Sequence, residues 1–475
     1  MSLPIELSEP LRELSFQAAS GPEMYTYEYD IHLVNPNTGY EYKVEWFTNL
    51  VIQQDFVGHY TDQIQFTCEI PLTDIFELAN NLQDMEVHMV FHPWNDIQIF
   101  ELDDQDPWFL DGRIQLDENI QLDKILDIGE KGPILANLTE KLIDESAKEG
   151  VTIDQLNAKL PFTFHILEKD VYDLRHAQVN EIFTDVTMED VIQKIAFDLG
   201  ATSVRAITPD NVTRYTNLVV PPMHNIATVY PFLQERYGIY SKGLGYYFTQ
   251  GTMYLYPLLD LDNSTATDVT VVNILKCPKD YLLGSRTYHN TIDGNLFIVS
   301  NTESKSSNPT TEQQENTGNS KIINKADQTV DVAATIQDGG KLIRHPDPNI
   351  VIQNQNTSTA MKQDMQHVQY EGSTSNIFTA TSELAAANIQ GLGCGWLQAL
   401  PRIIHPGQNV IYHYDGIGRQ YKTRKGRMMG VTYATSLRPS PTMHPYVSFV
   451  ASLSMIMEPE EQADDTYQTP KPYTD

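Results

Sequence analysis

Apolar and polar side chains alternate with a period of two along the N-terminal part of the chain. Apolar residues occupy every second position in 25–33 and again in 40–46, and the sequence Asn-Pro-Asn-Thr-Gly separates the two runs. Successive side chains of a strand point to opposite faces, and Pro, Asn and Gly favour turns, so this pattern predicts a β-hairpin.

Two further strands and two short helices are predicted in the same part of the chain. The alternation recurs at 64–70 and at 87–91, which predicts strands there. Thr73 is a suitable N-cap for a helix over 73–82. Pro133 fits the first turn of an amphipathic helix that ends before Gly150.

Two segments in the middle of the chain share a helical pattern. Residues 186–200 and 222–238 each place a Met ahead of apolar residues at helical spacing, and each ends at a Gly. Short strands are predicted beside these helices at 162–167, 217–220, 246–248 and 253–256. We therefore expect two similar α+β units side by side.

A polar segment follows the middle region. Residues 301–329 contain no aromatic residue, and Ile322, Ile323 and Ala326 are their only apolar residues. Such a composition cannot bury enough apolar surface to build a core. We expect a polar excursion or an extended arm, and the sparse pattern continues to about residue 373.

The part from 384 to 457 is again rich in predicted strands. Apolar residues alternate with smaller or polar ones from 447 to 457, and turns are predicted at 405–408 and 415–418. The predicted fold is therefore mainly β with an α+β middle, in which two small β-barrel-like domains bracket an α+β region. The predicted boundaries are 1–160 for an N-terminal β-barrel-like domain with short helices, 161–300 for an α+β domain with two similar helix units, 301–383 for the polar excursion or extended arm, 384–457 for a C-terminal β-barrel-like domain, and 458–475 for an acidic flexible tail.

Composition and charge narrow the classes of function. The 63 acidic residues outnumber the 32 Lys and Arg, which gives a net charge of −31. Such a surface repels nucleic acid and anionic lipid, so a DNA-binding or membrane-surface protein is disfavoured. Three distant cysteines fit a reducing compartment, and the sequence has no secretory signal and no membrane-spanning run.

No motif for catalysis, cofactors or metals is present in a usable form. Cys394 lies in Gly-Leu-Gly-Cys-Gly-Trp, where a Gly-rich turn that packs Trp396 is favoured over a nucleophile. The calcium-loop pattern that begins at Asp260 lacks the required Gly and Glu. The acidic cluster in 101–106 is interpreted as a solvated loop. We expect no catalytic residue, no cofactor and no metal, which leaves enzymatic function unsupported.

The C-terminal β region inverts the charge of the rest of the chain. Between 384 and 457 the acidic residue is Asp415, against seven Lys and Arg. Five of these form a cluster that is the candidate partner interface: Arg419, Lys422, Arg424, Lys425 and Arg427. An acidic partner or an acidic face of a neighbouring copy is one interpretation of the binding partner. A solvated hairpin with ordinary basic residues is the other interpretation.

The middle segment resembles the central baseplate hub (tail hub) proteins of tailed, chiefly contractile-tailed, bacteriophages. The resemblance rests on Val-Pro-Pro-Met at 220–223, on Phe-Leu-Gln-Glu-Arg-Tyr-Gly-Ile-Tyr at 232–240, and on the aromatic strands at 246–248 and 254–256. The Pro-Gly-Gln turn at 406–408 and the closing strand 446–457 resemble the C-terminal barrel of the same family.

The resemblance implies a structural role in the virion. It implies a homotrimer in which two related barrels per subunit form a pseudo-sixfold ring that matches the hexameric tail tube. The implied partners are other copies of this chain, the tail tube protein, the central spike protein, other baseplate proteins, and DNA in transit through the channel, with no membrane binding by the chain itself. The implied location is the tail baseplate, after assembly in the host cytoplasm. The alternatives are a tail-associated peptidoglycan hydrolase and a receptor-binding tail protein.

Overall fold

The computed structural model describes residues 26–71, 74, 85–94, 108–114, 159–261, 271–276, 289–292, 294–300, 302–307, 319–324, 329–334, 350–355, 366–369, 378, 390–415, 421–438 and 446–458. Several sequence predictions lie outside these residues: most of the helix at 73–82, the helix after Pro133, the acidic cluster at 101–106, Arg419 and most of the acidic tail.

The described residues form mostly strands. In chain order the strands are β1 (Thr26–Asn35), β2 (Tyr40–Lys43), β3 (Phe47–Asp55), β4 (Gln63–Pro71), β5 (Glu86–Trp94), β6 (Trp108–Ile114), β7 (Lys159–Glu168), β8 (Val179–Thr187), β9 (Ser203–Ala206), β10 (Arg214–His224), β11 (Leu244–Thr249), β12 (Thr252–Pro257), β13 (Val271–Lys276), β14 (His289–Ile292), β15 (Asn295–Ser300), β16 (Glu303–Ser307), β17 (Asn319–Asn324), β18 (Thr329–Ala334), β19 (Ile350–Gln355), β20 (Gln366–Gln369), β21 (Gln390–Trp396), β22 (Asn409–Asp415), β23 (Tyr421–Arg438) and β24 (Tyr446–Met457). The helices are α1 (Lys169–His176), α2 (Met188–Leu199) and α3 (Ile226–Arg236).

Eight strands close an antiparallel barrel. Their order is β23-β3-β4-β7-β6-β5-β1-β24, and β24 pairs back with β23. Closure removes the free edges that an open sheet would expose. The alternating apolar side chains fill the interior, where Ile31, Phe47, Phe66 and Phe91 are completely buried. Six of the strands come from residues 26–168 and two from residues 421–457.

The hairpin β23–β24 is shared with a second, barrel-like set of strands. The first half of β23 pairs with β22, while 430–434 pair with β3 of the closed barrel. In β24 the second half pairs with β21, and Val447 is opposite Tyr27 of β1. The second set therefore runs β14-β15-β13-β22-β23-β24-β21-β16. The predicted mainly β fold with barrel-like parts is confirmed, and one continuous hairpin joins those parts.

The Gly-rich segment 391–396 is a strand, so the prediction of a Gly-rich turn there was wrong. It forms β21, which pairs with β24 on one side and β16 on the other. A Cβ atom on Gly393 would lie 2.4 Å from Ser304 Oγ, and one on Gly395 would lie 2.5 Å from Thr302 Oγ1. The glycines therefore allow neighbouring segments to approach closely, and they do not reverse the direction of the chain.

The middle region confirms the two predicted helices. The Thr187 side chain caps α2, and Gly200 ends it with φ 110°. Asn225 caps α3. These helices pack on a two-stranded ribbon, β8–β10, and on the sheet β11-β12-β9. The sequence analysis missed α1, a short helix with few apolar positions.

The predicted polar excursion contains a separate four-stranded sheet. Its strand order is β19-β17-β18-β20, and all three pairings are antiparallel.

Candidate functional site: a buried charge cluster and a basic strand

A buried charge cluster lies where the closed barrel meets the middle region. We define it by Asp62, which precedes β4, by Glu168 at the end of β7, by Arg402 in the turn before β22, and by Gln54 and Tyr247 beside them. All five side chains are buried or nearly so. The cluster therefore connects strands of the barrel, the C-terminal part of the chain and β11 of the middle region.

Asp62 is completely buried and accepts several hydrogen bonds. The Gln54 amide nitrogen donates to both carboxylate oxygens at 3.1 Å, and the Tyr247 hydroxyl donates to Oδ1 at 2.8 Å. Burial raises the pKa of Asp62, and repulsion from Glu168 adds to this, while Arg402 and the hydrogen bonds act in the opposite direction.

Arg402 supplies the positive charge of the cluster. Its guanidinium donates to Glu168 Oε1, lies 3.7 Å from Asp62 Oδ2, and is 5.4 Å from the centre of the Trp108 ring. Burial by itself lowers the pKa of Arg402, but the charges of Glu168 and Asp62 outweigh it and the pKa is raised. The backbone of Arg402 has φ 62°, a conformation that costs energy for a residue with a Cβ.

The chemistry of the cluster is structural. A carboxyl group with a raised pKa is often a catalytic candidate, but structural ion networks shift pKa values as well. Asp62 is 0% exposed and is surrounded by donors of the chain itself, so no substrate reaches it in this conformation. The arrangement holds regions together, and breaking such a buried pair costs far more than breaking one on the surface.

The predicted basic interface divides into buried and exposed residues. Arg427 is 0% exposed and Arg424 is 6% exposed, whereas Lys422 is half-buried and Lys425 is exposed. Arg424 Nε donates to the Glu458 carbonyl at 2.9 Å, and its Nη2 donates to Gln390 Oε1 at 2.8 Å. Arg424 and Arg427 therefore belong to contacts within this chain, and Lys422 and Lys425 remain the interface prediction.

Arg427 joins the shared hairpin to the middle region. Its Nη2 donates to the Asp260 carbonyl and lies 3.3 Å from Asn409 Oδ1. The guanidinium carbon lies 5.4 Å from the centre of the Tyr256 ring, a cation–π contact. Burial lowers the pKa of Arg427 to about 10, although Tyr256 and Asp260 oppose this.

The other residues that the sequence analysis weighed for chemistry, Cys394 and Asp260, lie in surroundings that favour a structural role. Cys394 is buried, and burial raises its pKa to about 12, which suppresses the reactive thiolate. The Asp260 carboxylate accepts from Lys242 at 3.0 Å. Within the described residues no group of three or more His, Cys, Asp or Glu is placed to hold a metal ion. No helix in the same part of the chain has the length and apolarity to cross a membrane.

The ribbon β8–β10 exposes apolar side chains. Ile182 and Val219 are directly opposite each other in the register and are 68% and 43% exposed. Met223, further along β10, is 81% exposed and has φ 78°. We call these three residues the ribbon face. Exposed apolar residues that cluster in this way are typical of contact surfaces.

The geometry defines a class of protein: a mainly β protein in which a closed barrel shares a hairpin with a second set of strands, and buried charges connect both to an α+β region. A family model described as Bacteriophage PBS1 gene 109 protein matches residues 118–368, more than half of the 475-residue chain. The chain belongs to the family of the bacteriophage PBS1 gene 109 protein. This membership confirms the resemblance to a bacteriophage protein. No curated protein matches the sequence.

Solved structures that match this chain at low similarity include proteins with tail-protein names. A tail protein from Neisseria meningitidis MC58 has 12% identity and a TM-score of 0.42, covering 90% of this chain and 97% of that chain. The E. coli c3393 protein is described as a type VI secretion system component similar to the T4 tail proteins gp27 and gp5. It has 10% identity and a TM-score of 0.32, covering 93% of this chain and 76% of that chain. Prophage tail protein gp18 from Listeria monocytogenes EGD-e has 8% identity and a TM-score of 0.33, covering 90% of this chain and 94% of that chain. At these scores the family match alone carries the assignment.

Proposed function

We propose that this chain is the hub of a phage tail baseplate, a homotrimer that joins the hexameric tail tube to the central spike and lines the DNA exit channel. The observation that carries the proposal is the shared hairpin β23–β24, which ties two barrel-like sets of strands into one subunit. Three such subunits present six barrel-like units, the number that a hexameric tube requires.

The fold supports a role in transmitting force between partners. The hairpin runs without interruption from one set of strands to the other, since β23 alone spans 18 residues. The buried charge cluster and Arg427 then tie both sets to the middle region. A rigid subunit of this kind keeps tube and spike in a fixed relation.

The surface chemistry supports contacts between copies of this chain and a channel to which DNA does not adhere. The ribbon face is our candidate for an apolar contact with a neighbouring copy, and Lys422 with Lys425 is our candidate for a contact with an acidic face of one. A chain of net charge −31 also suits a channel through which DNA passes without adhering.

We further propose that the boundaries at residues 300, 383 and 457 separate segments that differ in their sensitivity to proteases, whereas the predicted boundary at 160 lies within β7 of the closed barrel and should resist cleavage. Within the segment 301–383, β17–β20 form their own sheet while β16 pairs with β21, so the part after residue 307 is the part we expect to be removable. The closed barrel takes strands from three of these segments, and we therefore expect cleavage at the other boundaries to leave the fragments associated.

Native mass spectrometry of the full chain, alone and with tail tube and spike proteins, tests the proposal. We expect a trimer that binds both partners. A monomer that binds neither would contradict it. Zymography on bacterial cell walls tests the hydrolase alternative in the same preparation, and a cleared zone that copurifies with the chain would favour that alternative.

A further inference from the structure

A cavity of about 460 Å³ lies between the closed barrel and the middle region. Its walls come from the loop between β3 and β4, from β4 and β7, from α1, and from the first residues of α3. This volume is in the range of small-molecule sites. Neither the hub proposal nor the buried charge cluster uses this cavity.

The walls of the cavity are unusual in their charge. Arg175, His59 and His165 line it, and none of the described residues that line it is acidic. The whole chain has about two acidic residues for each basic one (63 against 32), so a wall of this composition stands out. Asp62 and Glu168 lie close by in the chain, but their carboxylates are turned to Gln54, Tyr247 and Arg402.

The hydrogen-bonding groups of the wall are mostly donors. The Gln63 amide nitrogen lies 3.2 Å from His59 Nδ1, so Nδ1 accepts and the ring proton is on Nε2. Asn225 Oδ1 is occupied by the first turn of α3 through the Ala227 N–H at 3.1 Å, which leaves the amide nitrogen as the donor group. The N-terminal end of α3 adds the positive end of a helix dipole.

Thr61 also lines the cavity, but its hydroxyl oxygen is closed off from solvent. A ligand in the cavity does not reach this oxygen, so we build the site from the accessible basic and amide groups of the wall alone.

We propose that this cavity binds a small organic or inorganic oxyanion, of the phosphate or carboxylate class. Arg175 provides the fixed positive charge, and the imidazoles of His59 and His165 and the amide of Asn225 donate hydrogen bonds. Because its walls belong to both the barrel and the middle region, the bound anion ties these two parts together.

Isothermal titration calorimetry of the full chain with inorganic phosphate and with citrate, at constant ionic strength set by sodium chloride, tests the proposal. We expect saturable binding of one anion per chain and a melting temperature that rises with anion concentration. Because a charge-assisted contact is lost, Arg175→Gln should weaken binding by about tenfold or more. Arg236→Gln, at the opposite end of α3, is the matched control and should bind as the unmodified chain does.

A further variant keeps the test decisive if Arg175→Gln does not fold. His165→Gln changes an exposed wall residue and should weaken binding. Thr61→Val is a second control and should bind as the unmodified chain does, since the Thr61 hydroxyl is closed off from the cavity. Absence of saturable binding at millimolar phosphate and citrate would overturn the proposal. Equal weakening by Arg175→Gln and Arg236→Gln would also overturn it, since that result indicates diffuse attraction.

Discussion

Two buried arginines connect the barrels to the middle region by different means. At Arg402 the charges of Glu168 and Asp62 outweigh burial, and the pKa is raised. At Arg427 burial outweighs the neighbouring charges, and the pKa is lowered to about 10. Both guanidinium groups also lie against an aromatic ring. This difference shows that attraction between charges holds the contacts of Arg402. Hydrogen bonds and packing hold those of Arg427, although its charge is buried.

Removing Arg402 is the most direct test of the difference between the two arginines. Arg402→Met should lower the free energy of unfolding by about 3–5 kcal/mol at pH 7, because two carboxylates then stay buried without their cation. Urea denaturation measures this. Arg214→Met is the control, since Arg214 forms an ion pair with Asp185 that is exposed to solvent and screened by it, so its loss should change stability little. Equal losses in the two variants would contradict the role that we assign to Arg402.

The pH dependence of stability tests the role of Asp62 in the same cluster. Burial first, and then Glu168, raise the pKa of Asp62 from 3.8 to about 6. A carboxyl group whose pKa is higher in the folded state stabilises the fold below its unfolded pKa, and this contribution is lost as pH rises through the folded pKa. The window is therefore about pH 4 to 6, and Asp62→Asn should remove this loss.

The stability of Asp62→Asn relative to the unmodified chain should thus rise by roughly 3 kcal/mol between pH 4 and pH 7, from a shift of about two pKa units. Urea denaturation across this range measures the difference. Asp185→Asn is the control with the opposite sign, because the hydrogen bond from Arg214 lowers the pKa of the exposed Asp185. If the free energies of unfolding of Asp62→Asn and of the unmodified chain differ by the same amount throughout this pH range, Asp62 has an ordinary pKa in the folded chain.

The second arginine should matter less. Arg427→Met removes a charge that burial disfavours but leaves two buried acceptors without their donor, so we expect a loss of about 1 kcal/mol. The lost hydrogen bonds to the Asp260 carbonyl and Asn409 oppose the gain from removing the charge. Thermal and urea unfolding beside Arg402→Met give the comparison. A loss as large as that of Arg402→Met would mean that both contacts are held by charge.

The local patterns of the sequence predicted individual elements well. The closing strand 446–457 coincides with β24, and the helix predicted over 186–200 is α2 with its cap at Thr187 and its end at Gly200. These features depend on neighbouring residues, so periodicity and capping chemistry suffice to find them. The pattern did not reveal that β24 closes a barrel with β1, because alternation shows which face of a strand is buried but not which strand lies beside it.

The same patterns did not predict most of the candidate site. Asp62, Glu168 and Arg402 are distant in the sequence, and each is a single charge with no motif around it. One signal was present: Arg402 lies between Leu-Pro and Ile-Ile, where a charge is expected to be buried and paired. The basic cluster was visible, but composition does not separate the buried Arg424 and Arg427 from the exposed Lys425.

The smallest effect on stability is expected from Lys422 and Lys425, on the strand that carries Arg427. Reversing both, Lys422→Glu with Lys425→Glu, should change the free energy of unfolding by less than about 0.5 kcal/mol, since surface substitutions rarely do more. In the proposed trimer the same change should slow association at low salt, because it replaces attraction to an acidic neighbour with repulsion, and salt should mask the effect. Sedimentation at two salt concentrations measures this. Lys169→Glu with Arg236→Glu gives the same change in net charge elsewhere on the surface and is the control. If both pairs slow assembly equally, net charge alone is responsible, and if neither does, the acidic neighbour lies against another face.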